Sequence, residues 1–413
     1  MEKTFYSLAT ISQQLFGNQT ELLPSVNELF ELEMAHLEHT ILPQQQLINR
    51  SAFFKKIAGE PTKHFLFCSH QAKVVSENRS AKTRSYFEDG QFATGYATHS
   101  LFPYRGKFHP QLIKGILNIL DIQAGETILD PMCGSGTANI EAALMGIHSF
   151  AVDVSPFCQF MTQTKFDALR IQKPLLEQIY GKAHALFDFF CVENVSEQLN
   201  KIADPEKLKV YHVALLAFLD AMGYAKRVTT STHAQLFEKV LIRYIVTIKN
   251  FSDQPEIFPN GLGHVTVFPH SHALHLEIED NSVDGVITSP PYSFAIDYAK
   301  NDAAQLEYLG HNVSVLRTQM IGLVGKNKQE RLQNYFHDMV LVCSEIYRVL
   351  KPKKYLVMII GSNTNQTGGI RLEQTIIEAC EKLGMVLVKT ILKPIKGMRN
   401  IMKDEYILFF QKI

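Results

Sequence analysis

One short stretch of the chain constrains its fold more than any other. Residues 127–130 form an apolar segment that ends in an acid, the glycine-rich turn 130–137 follows, and a helical pattern covers residues 138–145. A second strand pattern at 148–152 ends directly before another acid, Asp153. Strand, glycine turn, helix and strand in this order predict the opening of a doubly wound, mostly parallel sheet.

The same alternation returns in the second half of the chain. Strand patterns lie at 264–268, 284–288, 355–360, 386–391 and 405–410, and helical patterns lie at 333–350 and 372–383. A further helical pattern, 110–120, precedes the first strand. Residues 161–261 interrupt the alternation with helical patterns only, at 213–219 and 236–248. The sequence therefore predicts an α/β fold, with one sheet of about seven strands and a long helical insertion.

The composition excludes several classes of protein. Lys plus Arg and Asp plus Glu both number 41, so the formal net charge is zero and gives no general support to nucleic-acid binding. Six cysteines are scattered without CxxC spacing, which argues against a disulfide framework and a structural zinc site. We find no run of about 18 apolar residues and no secretion signal at the start, so we expect no membrane span and a cytoplasmic location.

The glycine turn has the features of a nucleotide-like binding site. Gly134 and Gly136 let the backbone turn tightly and approach a ligand closely. Asp153 follows Gly134 by 19 residues, the offset at which an acid accepts hydrogen bonds from ribose hydroxyls. The alternative is a plain strand–helix turn, with Asp153 capping the next helix. No Gly-Lys-Ser/Thr follows, so a phosphate-gripping loop is not predicted.

A second motif, Thr288-Ser-Pro-Pro-Tyr292, comes directly after a predicted strand. Pro290 and Pro291 remove two backbone donors and fix the direction of the chain, so the preceding carbonyls have no ladder partner. These acceptors, with the Ser289 hydroxyl, suit an amino group that must donate hydrogens, and Tyr292 offers a face for stacking a base. The alternative is a rigid proline loop with a packed tyrosine.

Together the two motifs resemble those of bacterial DNA amino-methyltransferases, and the Ser-Pro-Pro-Tyr form is typical of the cytosine-N4 group. Residues 100–112 are similar to the family's aromatic-Pro segment. Further similarity lies at 296–298, 306–310, 348–352 and 405–409. The resemblance covers about residues 98–160 and 264–413.

This resemblance implies a class I, Rossmann-like fold with S-adenosyl-L-methionine as the cofactor and double-stranded DNA, its target base flipped out, as the partner. It implies that nine residues hold the cofactor: Phe108, Asp130, Pro131, Cys133, Gly134, Ser135, Gly136, Thr137 and Asp153. It assigns the target amine to Ser289, Pro290, Pro291 and Tyr292, and no residue to a metal. A cognate restriction nuclease would be a further partner.

Four regions follow from the pattern and the resemblance. We predict a helical accessory region at 1–95, a cofactor-binding half at 96–160, the helical insertion at 161–261 and a catalytic half at 262–413. Within 1–95 the first strand signal comes near Phe65, and residues 50–84 carry eight Lys or Arg against two Glu. This basic stretch is either a phosphate-contacting surface or a solvated face.

The chain departs from the family at two points. The usual acidic residue near the adenine is replaced around residues 270–273, and a separate C-terminal target-recognition domain is absent from this sequence. The regions 1–95 and 161–261 are therefore the candidates for reading the target.

Several alternatives stay open at this point. Adenine-N6 methylation, modification of an RNA base amine, and an inactive cofactor-binding subunit are all compatible with the motifs. Residues 157–159 and 193–195 faintly resemble elements of cytosine carbon-5 methyltransferases, but Cys158 follows the second strand and has no proline directly before it. His264, His270, His272 and His275 could ligate a metal, although alternation along a strand and its exit explains them more simply.

Overall fold

The N-terminal region combines helices with a small antiparallel sheet. The computed structural model describes residues 8–75, 95–104, 106–192, 194–225, 230–253, 260–291, 297–361, 369–395 and 404–413. The first helices are α1 (Leu8–Phe16), α2 (Leu29–Ile41), α3 (Gln44–Arg50) and α4 (Lys63–Val75). The strands β1 (Glu21–Leu22), β2 (Phe54–Ile57) and β3 (Glu60–Pro61) pair in that order.

The prediction of a strand near Phe65 is wrong, because Phe65 lies in α4. The Thr62 side chain explains where the helix begins. Its hydroxyl donates to the Phe54 carbonyl at 2.6 Å and accepts a hydrogen bond from the Phe65 N–H at 3.2 Å. The hydroxyl thereby satisfies one of the unpaired donors at the helix start and ties that start to β2.

The predicted seven-stranded doubly wound sheet is confirmed. Its strands are β4 (Thr127–Asp130), β5 (His148–Ala151), β6 (Val265–Val267), β7 (Val283–Thr288), β8 (Leu350–Gly361), β9 (Met385–Pro394) and β10 (Asp404–Lys412). They lie in the order β6-β5-β4-β7-β8-β10-β9. The pairs among β4 to β8 are parallel, and β10 runs antiparallel between β8 and β9. Consequently β4, β5 and β7 bring their carboxyl ends to one edge.

Helices cover both faces of this sheet. One face packs against α5 (Pro110–Ile119), α6 (Thr137–Leu144) and the N-terminal region, and the other against α16 (Lys328–Val349) and α17 (Leu372–Lys382). Along β8, Val357 and Ile359 join the first core, whereas Leu356 and Met358 join the second. Successive strand side chains point to opposite faces, so an uninterrupted apolar run fits a strand buried on both sides.

The described residues of the insertion are helical and have a core of their own. After α7 (Pro156–Ala168) come α8 (Lys173–Ile179), α9 (Ala183–Phe190), α10 (Val195–Asn200), α11 (Pro205–Ala225) and α12 (His233–Ser252). Three shorter helices follow β7: α13 (Tyr298–Asn301), α14 (Ala303–Tyr308) and α15 (Val313–Arg317). By length and composition alone α11 could span a membrane, but more than half of its most apolar stretch is buried in the insertion core. That burial accounts for its composition.

Candidate active site

The glycine turn after β4 is held in a shape that few residues could adopt. Gly134 and Gly136 have φ of +51° and +73°, in the left-handed region that favours glycine. A Cβ on Gly136 would lie 2.6 Å from the Thr162 Oγ1, which is closer than real Cβ contacts come. A Cβ on Gly134 would lie 3.4 Å from the Tyr104 ring, an ordinary contact. Gly136 therefore permits the packing of α6 on α7, and Gly134 lets the Tyr104 ring lie against the turn.

Asp153 fastens this turn to the end of β5. One of its carboxylate oxygens accepts a hydrogen bond from the Gly134 N–H at 2.8 Å, and the other accepts one from the Ser155 N–H at 2.8 Å. Burial raises the pKa of Asp153, while these two N–H donors act in the opposite direction. The acid thus lies against the turn, where the spacing in the sequence predicted it.

A cleft opens at this edge of the sheet. Two of its lining residues, Ser289 and Pro291, come from the segment after β7. The cofactor-site candidates that line it are Phe108, Pro131, Cys133, Gly134, Ser135, Thr137 and Asp153. The two predicted motifs therefore face one cavity.

Three of the predicted site residues do not line the cleft, and a fourth cannot be located. Asp130, Gly136 and Pro290 are not among the described residues that line the cavity, and Tyr292 lies outside the described residues. Asp130 is fully buried behind the cavity. Its Oδ1 accepts hydrogen bonds from the Thr288 hydroxyl at 2.9 Å and from the Met132 N–H at 3.2 Å. Asp130 therefore joins the end of β7, which precedes the acceptor motif, to the start of the glycine turn.

Sequence reasoning missed several residues of the cleft. Tyr104 and Tyr298 stack with their ring centroids 6.4 Å apart and their planes 14° apart, and both line the cavity with Lys107. These three residues fall inside segments that resemble the family, so the signal was available. Met320, Ile321 and Leu323 form an apolar part of the wall and carry no motif.

His272, in the segment after β6, makes contacts that compete with metal binding. His272 lines the cleft, and its Nε2 lies 2.9 Å from the Gln319 carbonyl, to which it donates. Its Nδ1 accepts a hydrogen bond from the Leu274 N–H at 3.1 Å, so both ring nitrogens are used within the protein. Among the described residues, no group of three or more His, Cys, Asp or Glu side chains could hold a metal ion.

Cys158 lies near the cleft but lacks the properties of a nucleophile. It is 1% exposed, and burial raises the pKa of its thiol well above the ordinary value. The thiol donates a hydrogen bond to the Tyr104 hydroxyl oxygen at 3.3 Å. Because the thiolate is the reactive form, a thiol with a raised pKa is unsuited to covalent attack.

Comparisons with known proteins find methyltransferases. The model of the UPF0020 family, an RMKL-like methyltransferase domain, matches residues 100–220. The type II methyltransferase M.BsoBI of Geobacillus stearothermophilus is 21% identical over 59% of this chain and 60% of its own length. M.AvaI of Nostoc sp. is 23% identical over 71% of this chain and 80% of its own length.

A shorter match involves an RNA enzyme. The tRNA (guanine(10)-N2)-dimethyltransferase of Methanothermobacter thermautotrophicus is 42% identical over 13% of this chain and 16% of its own length. The chain is thus homologous to type II DNA methyltransferases, although it spans only about three fifths of M.BsoBI.

The fold and the matched domain imply S-adenosyl-L-methionine as the cofactor, and the cleft fits that molecule. Gly134 lines the cleft without a side chain, which gives the close approach to the backbone that a nucleoside ligand needs, and Asp153 stands where ribose hydroxyls can donate to it. Phe108 and the apolar wall of Met320, Ile321 and Leu323 suit the uncharged surfaces of such a ligand.

Proposed function

We propose that this chain, a homologue of the type II DNA methyltransferases that carries an RMKL-like methyltransferase domain, methylates an exocyclic base amine in DNA, namely cytosine N4. One observation carries the proposal. Ser289 and Pro291, from the acceptor motif, and Gly134 and Asp153, from the cofactor motif, line the same cleft.

The cofactor side of the reaction depends on binding and orientation. Gly134, Ser135 and Asp153 would hold the nucleoside part of the cofactor, and Phe108 would cover it. When bound, S-adenosyl-L-methionine supplies an electrophilic sulfonium methyl group.

The acceptor side depends on hydrogen bonding. An amine inside a duplex cannot reach a cleft of this kind, so the target nucleotide must leave the stack. By the motif, the amine would donate one hydrogen to the hydroxyl oxygen of Ser289, a residue that lines the cleft. The other hydrogen would go to the carbonyl of Pro290, which does not itself line the cavity, and Tyr292 would stack on the base. These bonds would favour localising the nitrogen lone pair toward the methyl group. The nitrogen would gain the methyl group and release one proton to solvent, while the sulfur would keep the electron pair of the broken carbon–sulfur bond. No covalent nucleophile is needed.

The alternative with a specific observation behind it is an RNA base amine. The match to the tRNA (guanine(10)-N2)-dimethyltransferase covers a short segment, but that enzyme's name denotes methylation of an exocyclic amine. The acceptor motif itself would serve cytosine N4 and adenine N6 equally, since both amines donate two hydrogens.

A labelling experiment separates these substrates. The protein is incubated with tritiated cofactor and separate DNA and RNA pools, which are then digested so that the modified nucleoside can be identified. We expect label in N4-methylcytosine from DNA. Label in methyladenine would overturn the cytosine assignment, and label in RNA alone would overturn the DNA assignment.

A variant tests the acceptor motif itself. Ser289→Ala combined with Tyr292→Ala should abolish methyl transfer and leave cofactor binding intact, because both residues are assigned to the base. Loss of cofactor binding in a folded variant would show that these positions are misassigned. A cognate restriction nuclease is also part of the proposal, and cleavage of unmethylated but not of methylated DNA by a partner protein would test it.

A further inference from the structure

A chain of hydrogen bonds leads from the exposed Arg243 on the insertion toward the cleft. The Arg243 guanidinium donates to the Asp220 Oδ2 at 2.7 Å, and the Tyr244 hydroxyl donates to the same oxygen at 2.9 Å. The Tyr244 hydroxyl oxygen in turn accepts a hydrogen bond from the Phe102 N–H at 2.7 Å. Asp220 is 2% exposed and Tyr244 is 0% exposed. The hydroxyl therefore links two helices of the insertion to the segment before α5.

The segment that receives this bond has an unusual backbone. Phe102 has φ of +62°, in the left-handed region that residues with a Cβ rarely adopt. Its ring packs edge-to-face on Phe157 with the centroids 5.0 Å apart, and its carbonyl accepts a hydrogen bond from the Tyr104 N–H at 2.9 Å. Surrounding contacts must hold such a conformation, and the Tyr244 hydroxyl supplies one of them.

The turn at Phe102 sets the position of Tyr104. The Tyr104 ring lines the cleft, lies over Gly134 and stacks on Tyr298. A shift of the Phe102 backbone would therefore move the aromatic wall that faces the glycine turn. The insertion therefore contacts the cleft through Phe102, which it holds by a hydrogen bond, and Tyr104, which lines the cavity.

We propose that Tyr244 is a positioning residue for the cofactor cleft, acting through Phe102 on Tyr104. The helices of the insertion thereby control how closely Tyr104 approaches the Gly134 turn. Because the insertion is a candidate for reading the target, this link would let target binding tighten or loosen the cofactor. The inference rests on the proposed use of the cleft for S-adenosyl-L-methionine, but not on which base is methylated.

The test uses Tyr244→Phe, which removes the hydroxyl and keeps the ring. S-adenosylhomocysteine is titrated into the full chain by isothermal calorimetry. Without the hydroxyl the Phe102 N–H loses its acceptor, so the turn at Phe102 is held less firmly and fewer of the free molecules keep Tyr104 beside the Gly134 turn. We expect the Kd of Tyr244→Phe to rise about tenfold.

Tyr308→Phe is the matched control. Its hydroxyl donates to the Phe190 carbonyl at 2.6 Å within the same helical core, so the variant loses a similar bond without touching Phe102. It should lower Tm but leave the Kd within about twofold of wild type. An unchanged Kd in Tyr244→Phe, or an equal rise in both variants, would overturn the inference.

A second variant covers the case in which Tyr244→Phe fails to fold. Asp220→Asn keeps the size of the side chain but removes the charge that anchors the Tyr244 hydroxyl. We expect a smaller rise in Kd, of severalfold. An unchanged Kd would overturn the inference but not the proposed function. Absence of binding by the wild-type chain would overturn the proposed function, and the inference with it.

Discussion

Thr288 donates a hydrogen bond to the Asp130 carboxylate across 2.9 Å, and both residues are fully buried. Thr288 ends β7 and Asp130 ends β4, two adjacent parallel strands. The next residues are Ser289, the first acceptor, and Pro131, the start of the glycine turn. One bond therefore sets the relative position of the two motifs, and methyl transfer depends on that position.

Thr288→Val tests this bond with almost no change in shape. The Asp130 Oδ1 would keep the Met132 N–H as a donor but lose the hydroxyl. We expect the free energy of unfolding to fall by about 1–3 kcal/mol, and kcat for methyl transfer to fall more than the affinity for the cofactor. Urea unfolding and a tritium transfer assay measure the two effects.

Thr164→Val is the control for this prediction. Thr164 is buried in α7, and its hydroxyl has no hydrogen-bond partner among the described residues. Its replacement should be neutral or stabilising, since a polar group without a partner is removed. Equal losses in Thr164→Val and Thr288→Val would contradict the role given to the Thr288–Asp130 bond.

Asp130 also predicts a pH dependence of stability. Burial raises the pKa of its carboxyl from 3.8 to about 7, so between these values the folded chain keeps a proton that the unfolded chain releases. The contribution of Asp130 to stability is therefore full below about pH 4 and is lost as the pH rises toward 7. Asp130→Asn removes this term, which is at most about 4 kcal/mol.

The measurement is the difference in unfolding free energy between wild type and Asp130→Asn at pH 4.5, 6 and 8. Relative to Asp130→Asn, the wild-type protein should lose unfolding free energy as the pH rises, and the difference should become constant above pH 7. Glu38 and Asp302, whose pKa values burial also raises to about 7, are present in both chains and cancel. A difference that does not vary with pH would contradict the raised pKa.

The seven strands could be predicted from the sequence because they alternate with helical patterns in the order of a doubly wound sheet, so that even β6, with three residues, has a place in the pattern. The N-terminal sheet could not, because β1 and β3 have two residues each, which is too short to show a period. β2 is as long as β4 but lies in no such alternation. The fold is therefore readable where strands and helices alternate, and less so in the accessory region.

The same contrast holds within the candidate site. Ser289 and Asp153 could be brought together from the sequence alone, because both follow parallel strands of one sheet and such strand ends converge. Ile321 and Leu323 could not, since they follow α15 in a connecting segment whose position depends on tertiary packing. The role of Tyr244 is hidden for the same reason, as 142 residues separate it from Phe102.

Gly136→Ala tests whether the glycine turn is limited by contact as well as by backbone conformation. The added Cβ would meet Thr162 at 2.6 Å in a backbone with φ of +73°. Left-handed strain and overpacking together predict a loss of about 2–5 kcal/mol, measured by chemical unfolding. Gly125→Ala, with φ of +87° and nothing within 4 Å of its Cβ, should lose only the backbone part. Equal losses in the two variants would rule out the contact with Thr162.

Cys158→Ala separates amine methylation from the carbon-5 mechanism. A carbon-5 enzyme needs a thiolate that attacks the base, whereas burial keeps the Cys158 thiol protonated and its hydrogen bond to Tyr104 is a weak one. We expect Cys158→Ala to retain methyl transfer within severalfold of wild type, and the wild-type protein to form no covalent complex with DNA on a denaturing gel. The paired measurement is Ser289→Ala, which should lose transfer while Cys158→Ala keeps it. A folded but inactive Cys158→Ala would return the assignment to carbon-5 chemistry, because an amine acceptor needs no thiol at that position.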